Sequence, residues 1–330
     1  MKNAIIILVL ALSAWAWSGC SKKSSVTVGP PAKQIIGTDA TNDSISLNLT
    51  WTPGKHYSFR TESVLGADLT LPASYGIQTV VVSLSQDFSL DARAPSKDGV
   101  QELDLEIVAQ KAYFQPNEKY QYYFDSRESA AEDAAYPMFM FPQLRQLLNV
   151  PFKCFIADDG TLLRTEGLDA VTASLKQGNS QLTNFLQSVL NEKNLKMMFG
   201  SLNSFLPGTS VKPGDSWPVH LEINPRGINT LIQDGHNTFI NWETFDNQQC
   251  VHTEYQGNFS TNAADPDNSG AAEIQGGTLS NESWFDPQLE MLVRSSTVGH
   301  LTGTISAMGQ TVPAQINLTS NFRLLSVEDE

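Results

Sequence analysis

The sequence predicts a β-rich α+β fold. In it a large curved antiparallel sheet, half-barrel-like and made of two meanders, carries a central helical insert packed on it. Three observations predict this. Long stretches on both sides of residues 141–217 alternate apolar and polar residues with the period of a strand. The middle changes to helical spacing. A Pro-Gly turn followed by an aromatic residue opens the strand pattern twice, at Pro53-Gly54 and again at Pro213-Gly214.

The first elements are not part of that fold. Met1-Lys2-Asn3 is a short basic start, and residues 4–17 form an apolar run that ends at Ser18-Gly19-Cys20. The run is short for a membrane span and has the flanks of a signal peptide. It resembles a bacterial lipoprotein signal, with Trp17 where that pattern usually has an aliphatic residue. The resemblance implies that residues 1–19 are removed and Cys20 is lipidated, so that several acyl chains anchor the protein. An ordinary cleaved signal with an incidental cysteine is the alternative. Ser21 is not the Asp that retains lipoproteins at the inner membrane in enteric bacteria. The expected location is therefore the cell envelope, at the outer membrane and facing the periplasm. Residues 20–44 are rich in Ser, Gly, Pro, Thr and Lys and read as a flexible tether.

Residues 45–330 read as one domain. Its first meander spans 45–136. Ile45, Leu47, Leu49 and Trp51 alternate with polar residues, as a half-buried strand does. Further strands follow from Tyr57, over 77–92, over 100–114 and over 120–124, and residues 126–135 read as a loop.

The middle, 137–210, begins with Phe141, Leu144, Leu147 and Leu148 at helical spacing, and Pro151 ends that helix. Phe152, Cys154 and Ile156 start a hairpin that turns at Asp159-Gly160 and returns through Leu162 to Arg164. Three amphipathic helical stripes come next. Leu182, Phe185 and Val189 belong to one of them, and Met198, Phe199 and Leu202 to another. Such stripes need a partner surface, and sheet is the only other large apolar surface in the chain. Ordinary helix-on-sheet packing explains them. A lid that holds an apolar ligand against the sheet, lined by these same six residues, is the sharper reading.

The second meander, 211–325, reads as strands over 218–223, 238–244, 250–259, 274–285, 291–305 and 312–325, with a turn at Asp286-Pro287. Residues 326–330 read as a frayed acidic tail. The two Pro-Gly openings suggest two similar β-halves, or simply a common turn used twice.

Composition narrows the function. A net charge of −14 argues against nucleic acid and against a basic patch on anionic lipid. The candidate chemistry is sparse, and no catalytic residues or cofactors are expected. Asp265, Asp267 and Ser269, helped by Glu273, fit the start of a calcium loop. The twelfth position is Gly276 and no helices flank it, so a solvated acidic loop is the simpler reading. His220-x-Glu222 and His252-x-Glu254 each place a His and a carboxylate on one strand face. They make a zinc site only if their strands are neighbours. Ser216 has no nucleophile elbow around it. Cys154 and Cys250 allow a disulfide, against which their differing strand parity argues.

One resemblance extends over most of the chain after the tether. It is carried by Phe141-Pro142-Gln143-Leu144, Pro151-Phe152, Asp159-Gly160, Gly167-Leu168-Asp169-Ala170, Leu206-Pro207 and Val211-Lys212-Pro213-Gly214-Asp215-Ser216-Trp217. Pro53-Gly54-Lys55-His56-Tyr57 and Phe124-Asp125-Ser126 also fit. These motifs resemble an uncharacterised domain family of bacterial cell-envelope lipoproteins, which implies architecture and location and no activity. Element order alone is also similar to half-barrel lipid carriers of the envelope. The function expected is a non-enzymatic, membrane-anchored binding module for an apolar small molecule or lipid. A structural or interaction protein with a filled core and an envelope protein partner is the alternative, and a hydrolase comes last.

Overall fold

Alternation in the sequence becomes pairing in the structure, a computed structural model that describes residues 44–71, 77–128, 141–170, 192, 195–196, 205–223, 231–261, 272–307 and 310–330. The first meander is β1 (Lys55–Thr70), β2 (Ile77–Ala92), β3 (Gln101–Asn117) and β4 (Tyr120–Asp125). The short helix α1 (Phe141–Gln146) precedes the hairpin β5 (Phe152–Ile156) and β6 (Leu162–Glu166). The second meander is β7 (Ser216–Ile223), β8 (Leu231–Phe245), β9 (Gln248–Thr261), β10 (Ala272–Asp286), β11 (Met291–Ala307) and β12 (Gln310–Asp329).

All twelve strands form one open antiparallel sheet in the order β6-β5-β3-β2-β1-β12-β11-β10-β9-β8-β7, with β4 beside β5 on the outer edge of β3. The terminal strands therefore lie in the middle. The chain leaves the sheet at one edge, β6, and re-enters at the opposite edge, β7. Residues 167–215 make that passage. Leu168, Leu195, Phe205, Leu206 and Val211 all pack in the main core. These described residues of the passage therefore lie on the inner face of the sheet.

That inner face is the core. In β1, Tyr57, Phe59, Leu65, Ala67 and Leu69 are buried, while Glu62, Val64 and Thr70 between them are exposed. The same period runs through β12, whose Ile316 and Leu318 lie opposite Ala67 and Leu65. One apolar cluster extends from Leu162 on β6 to Val219 on β7. A sheet this wide twists and curls, and burial of one continuous face is the result.

The two Pro-Gly turns are built alike. Gly54 (φ 74°) and Gly214 (φ 91°) both sit in the left-handed region that an L-residue with a Cβ resists. The Gly54 amide donates to the carbonyl of Ala92 on the strand beside β1, and the Gly214 amide donates to the carbonyl of Phe239 on the strand beside β7, each at 2.7 Å. Each turn then places an aromatic residue, Tyr57 or Trp217, on the inner face.

Three expectations need correction. Residues 45–51 keep their alternating burial but are not a strand, because they cross the inner face instead of joining its edge. Their one bridge is Ile45 to Val211. β8 starts at Leu231, seven residues before its expected start at Thr238. Its inner positions there include Gln233, Gly235 and Asn237, so the apolar alternation that marks a strand is missing. The acidic tail is not frayed. Residues 326–329 pair with 55–58, Lys55 Nζ lies 2.6 Å from Asp329 Oδ1, and Arg93 pairs with Glu330.

On the outer face Asp87 of β2 sits opposite a bulge in β3 and accepts from Arg60 Nε at 2.6 Å and from an Arg127 terminal nitrogen at 2.7 Å. The Arg60 hydrogen bond holds its carboxyl below the usual range. Arg127 ties the end of β4 to β2 through the same carboxylate.

Truncation after Leu325 tests the tail. Loss of those four ladder pairs uncovers Tyr57 and lowers stability by about 2 kcal/mol or more in urea unfolding. An unchanged midpoint returns the tail to the frayed state that its composition predicts.

Candidate binding site on the inner face

A row of polar side chains interrupts the apolar inner face. On β8 and β9, Asn237 lies opposite Tyr255, and Thr253 lies opposite Ser283 of β10. Ser283 and Asn281 face Ser295 and Thr297 of β11. The row continues through Ser320 of β12 to Ser63 of β1, and then through Gln86 to Gln110. Most of these positions are buried, so they must bond to one another. Asn281 Nδ2 donates to Ser295 Oγ at 3.1 Å and to Thr297 Oγ1 at 2.9 Å. Ser63 Oγ donates to Ser320 Oγ at 3.1 Å, and Gln110 Nε2 donates to the Leu144 carbonyl at 3.0 Å.

Two covering segments lie over the β7–β11 part of this row. The first, 45–51, is joined to the second at Ile45 and Val211 by two backbone hydrogen bonds of 2.8 Å. It ends near the β10–β11 turn, where the Thr50 amide donates to the Glu290 carbonyl at 3.0 Å. Ser46 and Ser210 touch through their hydroxyls at 2.8 Å. The second segment holds on by the Phe205 carbonyl, which accepts from Asn237 Nδ2 and from Trp217 Nε1, both at 3.0 Å.

Between cover and sheet is a cavity of about 40 Å³. Leu49 and Leu206 line it from the cover, and Trp217, Phe285, Asn237, Thr253 and Ser283 line it from the sheet. Just beyond Asn237 the Tyr255 ring lies flat along the sheet, edge-on to Phe205 with centroids 5.1 Å apart. Two glycines make this possible. A Cβ at Gly257 would collide with the Tyr255 hydroxyl, and one at Gly235 would lie 2.5 Å from it. Burial pushes the phenol pKa up, the charge of Asp234 adds to that, and the Gln233 side chain opposes it.

The sequence pointed elsewhere. Leu182, Phe185, Val189, Met198, Phe199 and Leu202 lie outside the described residues, as do Cys20, Asp265, Asp267 and Ser269. Glu273 is an exposed residue of β10, opposite Thr304. The two His-carboxylate pairs do not converge, because β8 separates β7 from β9. His220 instead contacts Asp234 at 2.6 Å, and His252 stacks on Trp284 with centroids 4.7 Å apart.

The inner-face residues Gln233, Asn237, Thr253, Tyr255 and Ser283 were missed as a group. Their signal was phase. Each is a polar residue at a core parity, and it becomes visible once the parity of Phe239, Val251 and Phe285 is known.

Cys154 and Cys250 are free thiols, so the disulfide is not made. Cys154 lies in the inner core, whereas Cys250 joins Trp284 and Val293 in a small cluster on the outer side.

Residues 100–274 match the model of a family of unknown function, DUF6263. No curated protein matches the chain. Among solved structures it is similar to lipovitellin, in a structure concerned with lipid–protein interactions, at 10% identity and a TM-score of 0.46 over 85% of this chain. It spans 26% of the lipovitellin chain. It is also similar to a Bacteroides fragilis protein with a YmcC-like fold, at 10% identity and a TM-score of 0.24, covering 86% of this chain and 100% of that one. A DUF1329 family protein from Desulfovibrio piger overlaps at 9% identity and a TM-score of 0.12, over 83% and 87% of the two chains.

The thiols give a direct check on burial. It pushes both Cys154 and Cys250 up to about 12, so the reactive thiolate is scarce at neutral pH. Both stay unlabelled by iodoacetamide in the folded protein and both label in denaturant without reductant, as read by mass. Labelling only after reduction would restore the disulfide.

Proposed function

Because the chain belongs to the family of unknown function DUF6263, which brings no activity with it, we propose the function from the site: a non-enzymatic envelope module that binds an apolar molecule or lipid between sheet and cover. One observation carries the reading. The cavity under the cover is lined mainly by apolar side chains with a few hydrogen-bonding ones, Asn237, Thr253, Ser283 and Ser295, as sites for small apolar ligands are. The cover is also held more weakly than the sheet beneath it. Among the described residues segment 45–51 has a single backbone bridge, whereas β9 below is laddered on both sides. Binding opens the cover and enlarges the cavity, which at about 40 Å³ is far below the ~300 Å³ of typical ligand pockets.

The location completes the proposal. The signal-like start, Cys20 and the tether support a lipid anchor that holds the domain beside a membrane, with the outer membrane facing the periplasm as the expected site. There an apolar ligand is close at hand. A second reading draws on the same small volume: a filled core, with an envelope protein partner bound on the outer surface.

A pinned cover separates the two. The hydroxyl contact of Ser46 and Ser210 marks a pair of positions for a disulfide, S46C/S210C, while the native Cys154 and Cys250 stay buried. Native mass spectrometry with organic extraction on the full chain is expected to find a co-purifying apolar molecule. The reduced double variant exchanges a fluorescent lipid and the oxidised one does not. A clean apo mass that persists after incubation with envelope lipids would move the assignment to the interaction protein.

A further inference from the structure

Three buried polar groups in a row from the cavity wall make no hydrogen bond of good geometry among the described residues, although the Gln233 side chain lies near the Tyr255 phenol: Gln233 Nε2, the Tyr255 hydroxyl and Asn237 Oδ1. Their residues are 2%, 0% and 3% exposed. Gln233, Gly235 and Asn237 are successive inner-face positions of β8, and the Tyr255 hydroxyl is laid over Gly235 between the other two. The groups form a row along one strand that starts at the cavity wall, where Asn237 is a lining residue. The row is built. Without glycine at both 235 and 257 the phenol would not reach its place. On β10 and β11 the polar residues of this face bond to one another, as Asn281, Ser295 and Thr297 do, while Trp242 Nε1 further along β8 is a further group unpartnered among the described residues, away from the cavity lining. A core that needed only to be filled would be more stable with apolar residues at these three positions.

We propose that Gln233, Tyr255 and Asn237 recognise the polar end of the ligand, and that this end is uncharged: a hydroxyl, amide or ester on an apolar chain. The inference rests on the binding-module reading above. Gln233 Nε2 donates, Asn237 Oδ1 accepts, and the Tyr255 hydroxyl does either. None of the described inner-face residues of β7 to β10 is charged, so an ionic head would be buried without a counter-charge. The nearby charges, Asp234 and its partner His220, are exposed and paired with each other on the outer face. Opening the cover frees more of the same chemistry. When the Phe205 carbonyl withdraws, Asn237 Nδ2 and Trp217 Nε1 become available to a ligand carbonyl in its place.

The test compares probes with one acyl or alkyl chain length and different heads on the full chain. They are a monoacylglycerol, a lysophosphatidylglycerol, an alkyltrimethylammonium and the plain alkane, read by calorimetry and thermal shift. The uncharged monoacylglycerol is expected to bind tightest. Y255F keeps the ring and removes the hydroxyl. It weakens the monoacylglycerol about fivefold to tenfold, the value of one hydrogen bond, and leaves the alkane unchanged. It also raises the melting temperature of the free protein, because a buried unpartnered hydroxyl is gone. Q233M, of similar shape, repeats both effects at the far end of the row. Equal affinity for all heads, or unchanged monoacylglycerol binding in both variants, overturns this inference and leaves the binding module standing. Failure of every probe, the alkane included, overturns the binding module itself.

Discussion

Residues 55–69 of β1 pair with 314–329 of β12, and this ladder brings the two ends of the domain into the centre of one sheet. It joins residues as far apart in the chain as Lys55 and Asp329. Closing so long a loop is entropically costly, and a ladder with buried side chains on one face offsets that cost. The consequence is topological. Read from β7 to β12 and on from β1 to β6, the sheet is one meander, departing from it only at β4, which shares the edge of β3 with β5, and its natural ends are its two edges. The covalent chain is open in the middle of that meander instead, between β12 and β1. It must therefore bridge from edge to edge, and the described apolar residues of that bridge, Leu168, Leu195, Leu206 and Val211, pack on the inner face. The cover over the candidate site is a result of where the termini lie.

The polar row adds a second constraint. A one-residue slip of any strand would turn its inner face outward. Apolar contacts are non-directional and oppose a two-residue slip weakly. The bonds of Asn281 to Ser295 and Thr297, and of Ser63 to Ser320, oppose it strongly, because a displaced partner leaves a buried polar atom unpaired. Over β10, β11, β12 and β1 the row is thus explained as register control. Over β8 and β9 it is not, since there the polar atoms face the cavity and the cover.

How much of this was legible follows from the same contrast. Strands with apolar inner positions, such as β2 and β12, could be read from alternation alone, and Ile77–Ala92 was bounded correctly. The strand with the most polar inner face beside the cavity, β8, was cut short because Gln233, Gly235 and Asn237 break the binary pattern. Segment 45–51 failed in the opposite way. Its alternation is real, with Leu47 and Trp51 buried, yet alternation reports that a segment is extended with one face covered, and it does not report a hydrogen-bonded neighbour. The expected ligand residues were chosen on helical stripes. The inner-face site is made by strand register, which a single sequence does not display.

A rigid frame and a loosely tied cover are what a binding module of this design requires. The frame must hold the Tyr255 ring over its two glycines to within the tolerance of a hydrogen bond, and continuous ladders on both sides of β9 do that. The cover must leave without unfolding the frame. Its hydrogen-bonded ties among the described residues are scattered single contacts: the Ile45–Val211 pair, Ser46 with Ser210, Thr50 to Glu290, Gln101 Nε2 to the Trp51 carbonyl, and the Phe205 carbonyl on Asn237 and Trp217. Breaking them exposes backbone groups that water satisfies at once, so opening costs far less than breaking a strand pair in the core. Apolar residues Leu47, Leu49 and Leu206 then lose their contacts with the sheet. On the proposed reading, that loss is offset when an apolar chain takes their place, so that a closed state which excludes water would yield to a ligand of matching character.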